Sequence, residues 1–256
     1  MRFWIPLCLA LGLGMSSGFG QALPAGSSIL QKLDDQQRFT SDIHSSVKMT
    51  QQKVGQGTKL LEMEYFRRDK DQAFLINILG PEAERGNGYL RVADNMWMYR
   101  RNTRTFQHIN SDESIGGSDA KADDFETRRL METYAVTKSK DGKEMVSAEI
   151  LGKIEVYRME ARATVNDVDY PRKIWWVRRD NGLLLKEEAY SQSGTLMQTA
   201  YFLKYTEINK KFVPVQQMFI DEFEKGNRTV VELANIKTNK LDDAIFTKAY
   251  LESQSK

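Results

Sequence analysis

Residues 199–236 read TAYFLKYTEINKKFVPVQQMFIDEFEKGNRTVVELANI, and the fold is decided here. Three runs rich in apolar residues, 199–208, 212–223 and 229–236, are separated by Asn209-Lys210 and by Lys225-Gly226-Asn227. Asparagine and glycine at such points supply the left-handed backbone that tight hairpin turns require. Strands joined by tight turns must run antiparallel. Upstream the same rhythm continues through 154–165, 174–178 and 183–190, with Asp180-Asn181-Gly182 and Ser193-Gly194 between the runs. The second half of the chain is therefore an unbroken meander.

The first half carries the same period of two. Ile43, Val47 and Met49 alternate with polar residues, a turn follows at Gly55-Gln56-Gly57, and Leu61, Met63 and Tyr65 then alternate with Glu62 and Glu64. This is a hairpin with one buried face. The run 74–79 is apolar on both faces and ends at Gly80-Pro81, and shorter runs follow at 89–92, 96–99 and 106–109. Two helices are predicted besides. One starts near the capping-box pattern Ser28-Ile29-Leu30-Gln31, with Ile29, Leu30 and Leu33 on one face; the other starts in the acidic stretch Asp123-Asp124-Phe125-Glu126, ahead of Leu130 and Tyr134. The expected fold is mainly β: one large curved antiparallel sheet with covering α-helices.

Several strands are apolar on both sides. Tyr201, Leu203 and Tyr205 fall on one side of their strand by alternation, and Ala200, Phe202 and Ile208 on the other. Two interiors satisfy this pattern, a solid core of aromatics and methionines or a sheet curved widely enough to leave an apolar cavity. Pattern alone is met most simply by the solid core.

The N-terminus has a different composition. Arg2 precedes an apolar run over 3–13, and Gly20 and Ala22 occupy the small positions that a signal peptidase reads. The run is far shorter than the ~20 residues that span a bilayer. A cleavable signal peptide over 1–22 is expected, followed by a single domain over 23–256 exported to the periplasm. The only cysteine, Cys8, lies inside that leader, so the mature chain is expected to have no disulfide and no thiol chemistry. Lys plus Arg number 37 against 35 for Asp plus Glu, interspersed along the chain. Such a balance offers no electrostatic footprint for nucleic acid.

Catalytic and metal-binding patterns are not recognisable. His44 and His108 are the two histidines and lack the spacing of a helical metal motif; no serine stands in a nucleophile elbow, and no glycine-rich loop carries a phosphate-binding lysine. Asp112, Glu113, Asp119, Asp123 and Asp124 lack the one-three-five spacing of a calcium loop. Glu187 and Glu188 fall on opposite faces of a strand, which opposes a joint acid and base role. The expectation is a protein that is not an enzyme and needs no cofactor or metal.

The stretch Ala93-Asp94-Asn95-Met96-Trp97-Met98-Tyr99, followed by Asn102-Thr103, resembles a turn-and-strand signature of the LolA-like family of outer-membrane lipoprotein carriers. Gly80-Pro81-Glu82, Gly88-Tyr89-Leu90 and Ser114-Ile115-Gly116-Gly117-Ser118-Asp119 are similar to a sub-branch described as outer-membrane lipoprotein-sorting proteins, and 241–246 also fits. The resemblance covers most of the mature chain and is strongest over 61–130. It implies an incomplete β-barrel of LolA/LolB type whose apolar concave face is covered by helices and carries acyl chains of lipoproteins or other lipids. It also implies an inner-membrane releasing complex or exporter, and an outer-membrane acceptor, as partners of a monomeric carrier. The family's carriers have an arginine governing lid closure, and Arg67 and Arg68 lie in the corresponding region. With such a cavity, the residues expected to line it are Met63, Tyr65, Ile76, Ile78, Trp97, Tyr99, Phe125 and Leu130. Two other functions share these features, a lipid relay serving an inner-membrane lipid exporter and a periplasmic interaction domain whose core is filled.

Overall fold

The computed structural model describes residues 22–110, 112–125, 129–166 and 168–255. The leader read over 1–22 lies, apart from Ala22, outside the described residues. The strands are β1 (Ile43–Lys53), β2 (Gly57–Arg68), β3 (Ala73–Gly80), β4 (Gly88–Val92), β5 (Asn95–Arg100), β6 (Thr105–His108), β7 (Tyr134–Val136), β8 (Val146–Leu151), β9 (Ile154–Ala163), β10 (Arg172–Arg178), β11 (Leu184–Tyr190), β12 (Leu196–Ile208), β13 (Lys211–Asp221) and β14 (Arg228–Lys237). They form one sheet in the order β6-β5-β4-β3-β2-β1-β14-β13-β12-β11-β10-β9-β7, with β8 also paired to β9. Every pairing is antiparallel, and the sheet does not close into a barrel. The two halves of the meander are stitched where β1 pairs with β14, Val47 opposite Leu233.

The turn at Asn209-Lys210 has positive φ at both residues, 51° and 63°. That is the requirement of the two-residue turn whose twist matches the flanking strands. It holds β12 and β13 in register, Ile208 opposite Lys211.

Alternation divides the sheet into two buried faces. Across β2, β3, β4 and β5, Tyr65, Ile76, Tyr89 and Met98 stand in register on the inner face. Their sequence neighbours Phe66, Leu75, Leu90 and Trp97 stand in register on the outer face. The segment 109–125 covers the inner face here, packing Ile109, Ile115, Ala120, Ala122 and Phe125 against Met63, Ile76 and Ile78. It is pinned by polar contacts: Gln51 Nε2 donates to the Gly117 carbonyl at 2.6 Å, and the Gly116 N–H donates to Tyr89 Oη at 2.9 Å. Over β9–β11 the cover is helical. Helix α1 (Gly26–Gln37) and the single turn α2 (Leu130–Thr133) bring Ile29, Leu30, Leu33 and Leu130 onto Met159, Trp175, Val177 and Leu184.

Both helix starts differ from the reading of their sequences. Helix α1 begins at Gly26 with Ala25 as N-cap and no side-chain cap, so the Ser28 capping box is not used. A Cβ on Gly26 would stand 2.8 Å from side-chain carbons of Val136 and Val146. Glycine therefore lets the helix begin where it touches β7 and β8. The acidic stretch forms a 3-10 turn, Ala122–Phe125, instead of an α-helix. The Tyr65 hydroxyl donates to the Phe125 carbonyl at the end of this turn, and residues 126–128 lie outside the described residues.

A third helix was not foreseen. Helix α3 (Lys248–Ser253) and the 3-10 turn Asp243–Phe246 lie on the outer face, where Leu241, Phe246 and Leu251 pack on Phe66, Leu75, Leu90 and Tyr99. Among the described residues no helix is long and apolar enough to cross a membrane.

Candidate functional site

Between the helical cover over β9–β11 and the segment covering β1–β5, the described residues cover the inner face of β12, β13 and β14 only in part: Gln198 of β12 and Thr229 of β14 donate hydrogen bonds to Asp119, and α1 reaches β13. A cavity of about 170 Å³ opens there. Its apolar floor comes from Ala200 and Phe202 of β12, Val213 and Phe219 of β13, and Val231 and Leu233 of β14. Tyr65, Phe125, Leu33 and Leu130 form the walls under the two covers. Half-buried Gln36, Gln37, Phe39, Arg67, Phe212 and Pro214 stand at the accessible rim.

One irregularity shapes this floor. The pairing of β12 with β13 slips between Phe202 and Lys204 and again before Tyr205. An extra residue in one strand switches the faces beyond it. Phe202 and Tyr205 consequently both line the cavity although they are three residues apart. Strict alternation had put Tyr205 on the other side with Tyr201 and Leu203, and the bulge corrects that.

The eight residues expected at a cavity separate into three groups. Tyr65, Phe125 and Leu130 line it. Met63, Ile76 and Ile78 belong to the same inner face but are sealed beneath 109–125, each 1 % exposed. Trp97 and Tyr99 are on the outer face, packed in the cluster that holds Leu241, Phe246 and Leu251. The Lys248 ammonium of α3 lies 4.2 Å from the Trp97 ring. Trp97 and Tyr99 are thus corrected from cavity residues to outer-face packing, because the inward position of β5 is Met98. Trp97→Ala is expected to cost about 1–2 kcal/mol of stability and to leave the affinity for an apolar fluorescent probe within about two-fold, by urea unfolding and probe titration.

Arg67 and Arg68 point to opposite faces. Arg67 is at the cavity rim, with Nε donating to Asp69 Oδ1 at 2.5 Å and Nη2 to the Gln37 carbonyl at the end of α1 at 2.5 Å. Lys211 Nζ donates to the Asp35 carbonyl at 2.8 Å and also to that of Arg38. Two cations thereby hold the C-terminal carbonyls of α1, where the helix leaves acceptors unsatisfied and its dipole is negative. Arg68 is sealed on the outer face against Asp42 and Asp243.

One wall of the cavity is charged. Lys173 of β10 donates from Nζ to Glu187 Oε1 of β11 at 2.5 Å, and Trp175 Nε1 donates to Glu187 Oε2 at 2.6 Å. Asp124 faces them from the cover, its Oδ2 accepting from the Lys121 N–H at 2.8 Å. Burial pushes the Asp124 carboxyl up to about 6; the Lys121 N–H and the Lys173 ammonium pull it back, and Glu187 adds to the rise. The same cause pushes the Tyr65 hydroxyl up to about 12. No sequence motif marked this wall. The available signal was phase: Lys173 alternates in step with Trp175 and Val177, which face the core beneath α1.

The raised Asp124 value fixes the sign of a pH effect. The folded state binds the proton more tightly than the unfolded chain, so this group's contribution is most favourable below about 4 and is lost as pH rises through about 6. Asp124→Asn is expected to raise stability by about 1–2 kcal/mol at pH 8 relative to wild type, with the difference shrinking towards pH 4. Paired urea unfolding curves at the two pH values check it. The carboxylates Glu84, Glu160 and Glu188, held low by their cationic partners and hydrogen bonds, move the other way in both proteins and cancel.

The histidines stand far apart on the outer face, in the register row His44, Phe66, Leu75, Leu90, Trp97, His108. Five strand spacings separate them by about 24 Å. Among the described residues no group of three His, Cys, Asp or Glu could hold a metal ion.

A family model described as uncharacterized-protein-like matches residues 70–253. None of the curated proteins compared with the chain matches it. Three solved structures are similar over nearly their whole lengths. An outer membrane lipoprotein-sorting protein domain from Vibrio parahaemolyticus is 18% identical with a TM-score of 0.75, covering 88% of this chain and 97% of its own. A LolA superfamily protein from Nitrosomonas europaea is 20% identical with a TM-score of 0.74, covering 89% and 100%. A DUF1329 family protein from Desulfovibrio piger is 22% identical with a TM-score of 0.76, covering 89% and 99%. Together they show that the open, helix-covered sheet is the LolA type, as the resemblance of the sequence implied.

Proposed function

From the premise that the chain belongs to the uncharacterized-protein-like family matched over residues 70–253 and has the LolA-type fold, we propose that it is a periplasmic carrier of acyl chains or other lipids. The observation that carries this reading is the apolar cavity between the two covers, floored by Phe202, Val213, Phe219, Val231 and Leu233 of β12–β14. Each methylene moved from water onto such a surface contributes about 0.8 kcal/mol. Aromatic and branched side chains accept chains of varied shape, and nothing in the lining demands one particular substrate outline.

Size argues for a moving lid. A cavity of about 150 Å³ takes one benzene ring, and drug-sized ligands occupy about 300–1,000 Å³. The present 170 Å³ therefore admits only a short length of chain. The C-terminal end of helix α1 is the part to move, because Ile29, Leu30 and Leu33 pack the helix into the core whereas the end beyond them is held at the rim by polar contacts from Arg67 and Lys211. Arg67→Leu is expected to speed probe entry and release several-fold and to cost roughly 2–3 kcal/mol of stability, because the Asp69 side chain, 8 % exposed, loses its cation. Stopped-flow fluorescence with an anthroyloxy fatty-acid probe measures this. Saturable uptake of that probe by the wild type supports a carrier, and its absence in the folded protein rejects one.

Delivery to the outer membrane, from an inner-membrane lipoprotein-releasing complex or from a lipid exporter, belongs to the same proposal. The cavity suits both routes.

A further inference from the structure

A surface that only had to shield hydrocarbon would not place Asp124, Lys173 and Glu187 along one wall of its cavity. Ions taken out of water are costly even when paired, and the sheet elsewhere fills buried inward positions with apolar side chains or with neutral ones such as Gln51, Gln198 and Thr229. The wall also has a sign. It holds two carboxylates and one ammonium, and the ammonium of Lys173 is engaged by Glu187 at 2.5 Å. The other cation of the lining, Arg67 at the rim, is engaged by Asp69 at 2.5 Å and by the Gln37 carbonyl.

A carboxylate or phosphate entering this space meets like charge from Asp124 and Glu187, and both lining cations are already paired. A hydroxyl or amine meets the opposite situation. Ionised carboxylates only accept hydrogen bonds, so a hydroxyl or amine is the kind of polar group they can receive. We propose that the cavity recognises a lipid bearing an uncharged or cationic hydrogen-bond donor, a hydroxyl or amine on an apolar skeleton, seated against the Asp124–Lys173–Glu187 wall. The proposal rests on the carrier reading and narrows it to a head-group class.

Three ligands with one chain test it: dodecan-1-ol, dodecylamine and dodecanoate, each below its critical micelle concentration, displacing N-phenyl-1-naphthylamine from the wild-type protein at pH 7.5. The alcohol and the amine are expected to compete at least about ten-fold better than dodecanoate, because like charges at contact distance in a partly desolvated site cost more than that factor. Asp124→Asn is expected to narrow the gap by improving dodecanoate. Dodecanoate competing as well as the alcohol in the wild type overturns the head-group assignment alone. A gap unchanged in folded Asp124→Asn removes Asp124 from the recognising wall and overturns the assignment as stated. Failure of all three chains to displace the probe overturns the carrier reading and this inference with it.

Discussion

Arg68→Ala is expected to destabilise the protein by about 3–5 kcal/mol, the cost of leaving a buried charge without its partner. The side chain is 2 % exposed and the facing Asp42 carboxylate 10 %. Arg68 Nε and Nη2 donate to Asp42 Oδ2 at 3.1 and 3.0 Å, and that same oxygen accepts from the Leu241 N–H at 2.8 Å. One arginine thus ties the entry to β1, the end of β2 and the segment leading to α3. Its guanidinium also lies 4.6 Å from the centre of the Phe246 ring. Asp243, 85 % exposed, adds little beyond orientation. In the variant Asp42 is left as a buried acid without its cation, so Asp42→Asn combined with Arg68→Met should recover part of the loss. Urea unfolding of the three proteins decides the matter, and a loss under about 1 kcal/mol for Arg68→Ala would contradict the account. The contrast with neighbouring Arg67, whose replacement should act on exchange kinetics, follows from one alternation of β2.

The second large effect concerns the cavity floor. Ala200 is buried at 4 % and faces the space from the middle of β12. Ala200→Trp places an indole where the chain of a lipid would lie, and a cavity of about 170 Å³ is of the size that takes one ring system. Probe affinity is expected to fall by more than about ten-fold while stability changes by less than the roughly 1–3 kcal/mol usual for overpacking a solid core. Thermal melting and probe titration on the same samples separate the outcomes. A variant that melts far earlier yet binds the probe unchanged would place the binding site elsewhere.

Much of this architecture is legible in the residues. The hairpins at 55–57, 180–182, 209–210 and 225–227 fall where glycine and asparagine announce them, and the β1–β2 alternation is as regular in space as on paper. What escaped has identifiable causes. Strands β7 and β8 are short, and 134–136 reads as the tail of a helix until Ala135 is seen opposite Arg162. Trp97 and Tyr99 announce an aromatic strand, but no local signal says which face of a two-sided sheet they take. Tyr205 was put on the wrong side because a bulge is invisible to a period of two. The whole cavity floor, Ala200, Phe202, Val213, Phe219, Val231 and Leu233, reads as strand in the sequence, and none of it is among the residues expected to line a cavity. Those residues become a site only because the two covers leave a space above them, which is a property of tertiary packing.

The central claim is that β12–β14 offer an apolar space to a lipid. Organic extraction and mass spectrometry of the natively purified, folded protein test it most directly, with Ala200→Trp prepared in parallel. The account predicts an apolar molecule in near-stoichiometric amount from the wild type and its loss from the variant. A folded wild type that yields no apolar molecule, and takes up none when offered acyl chains, would contradict it.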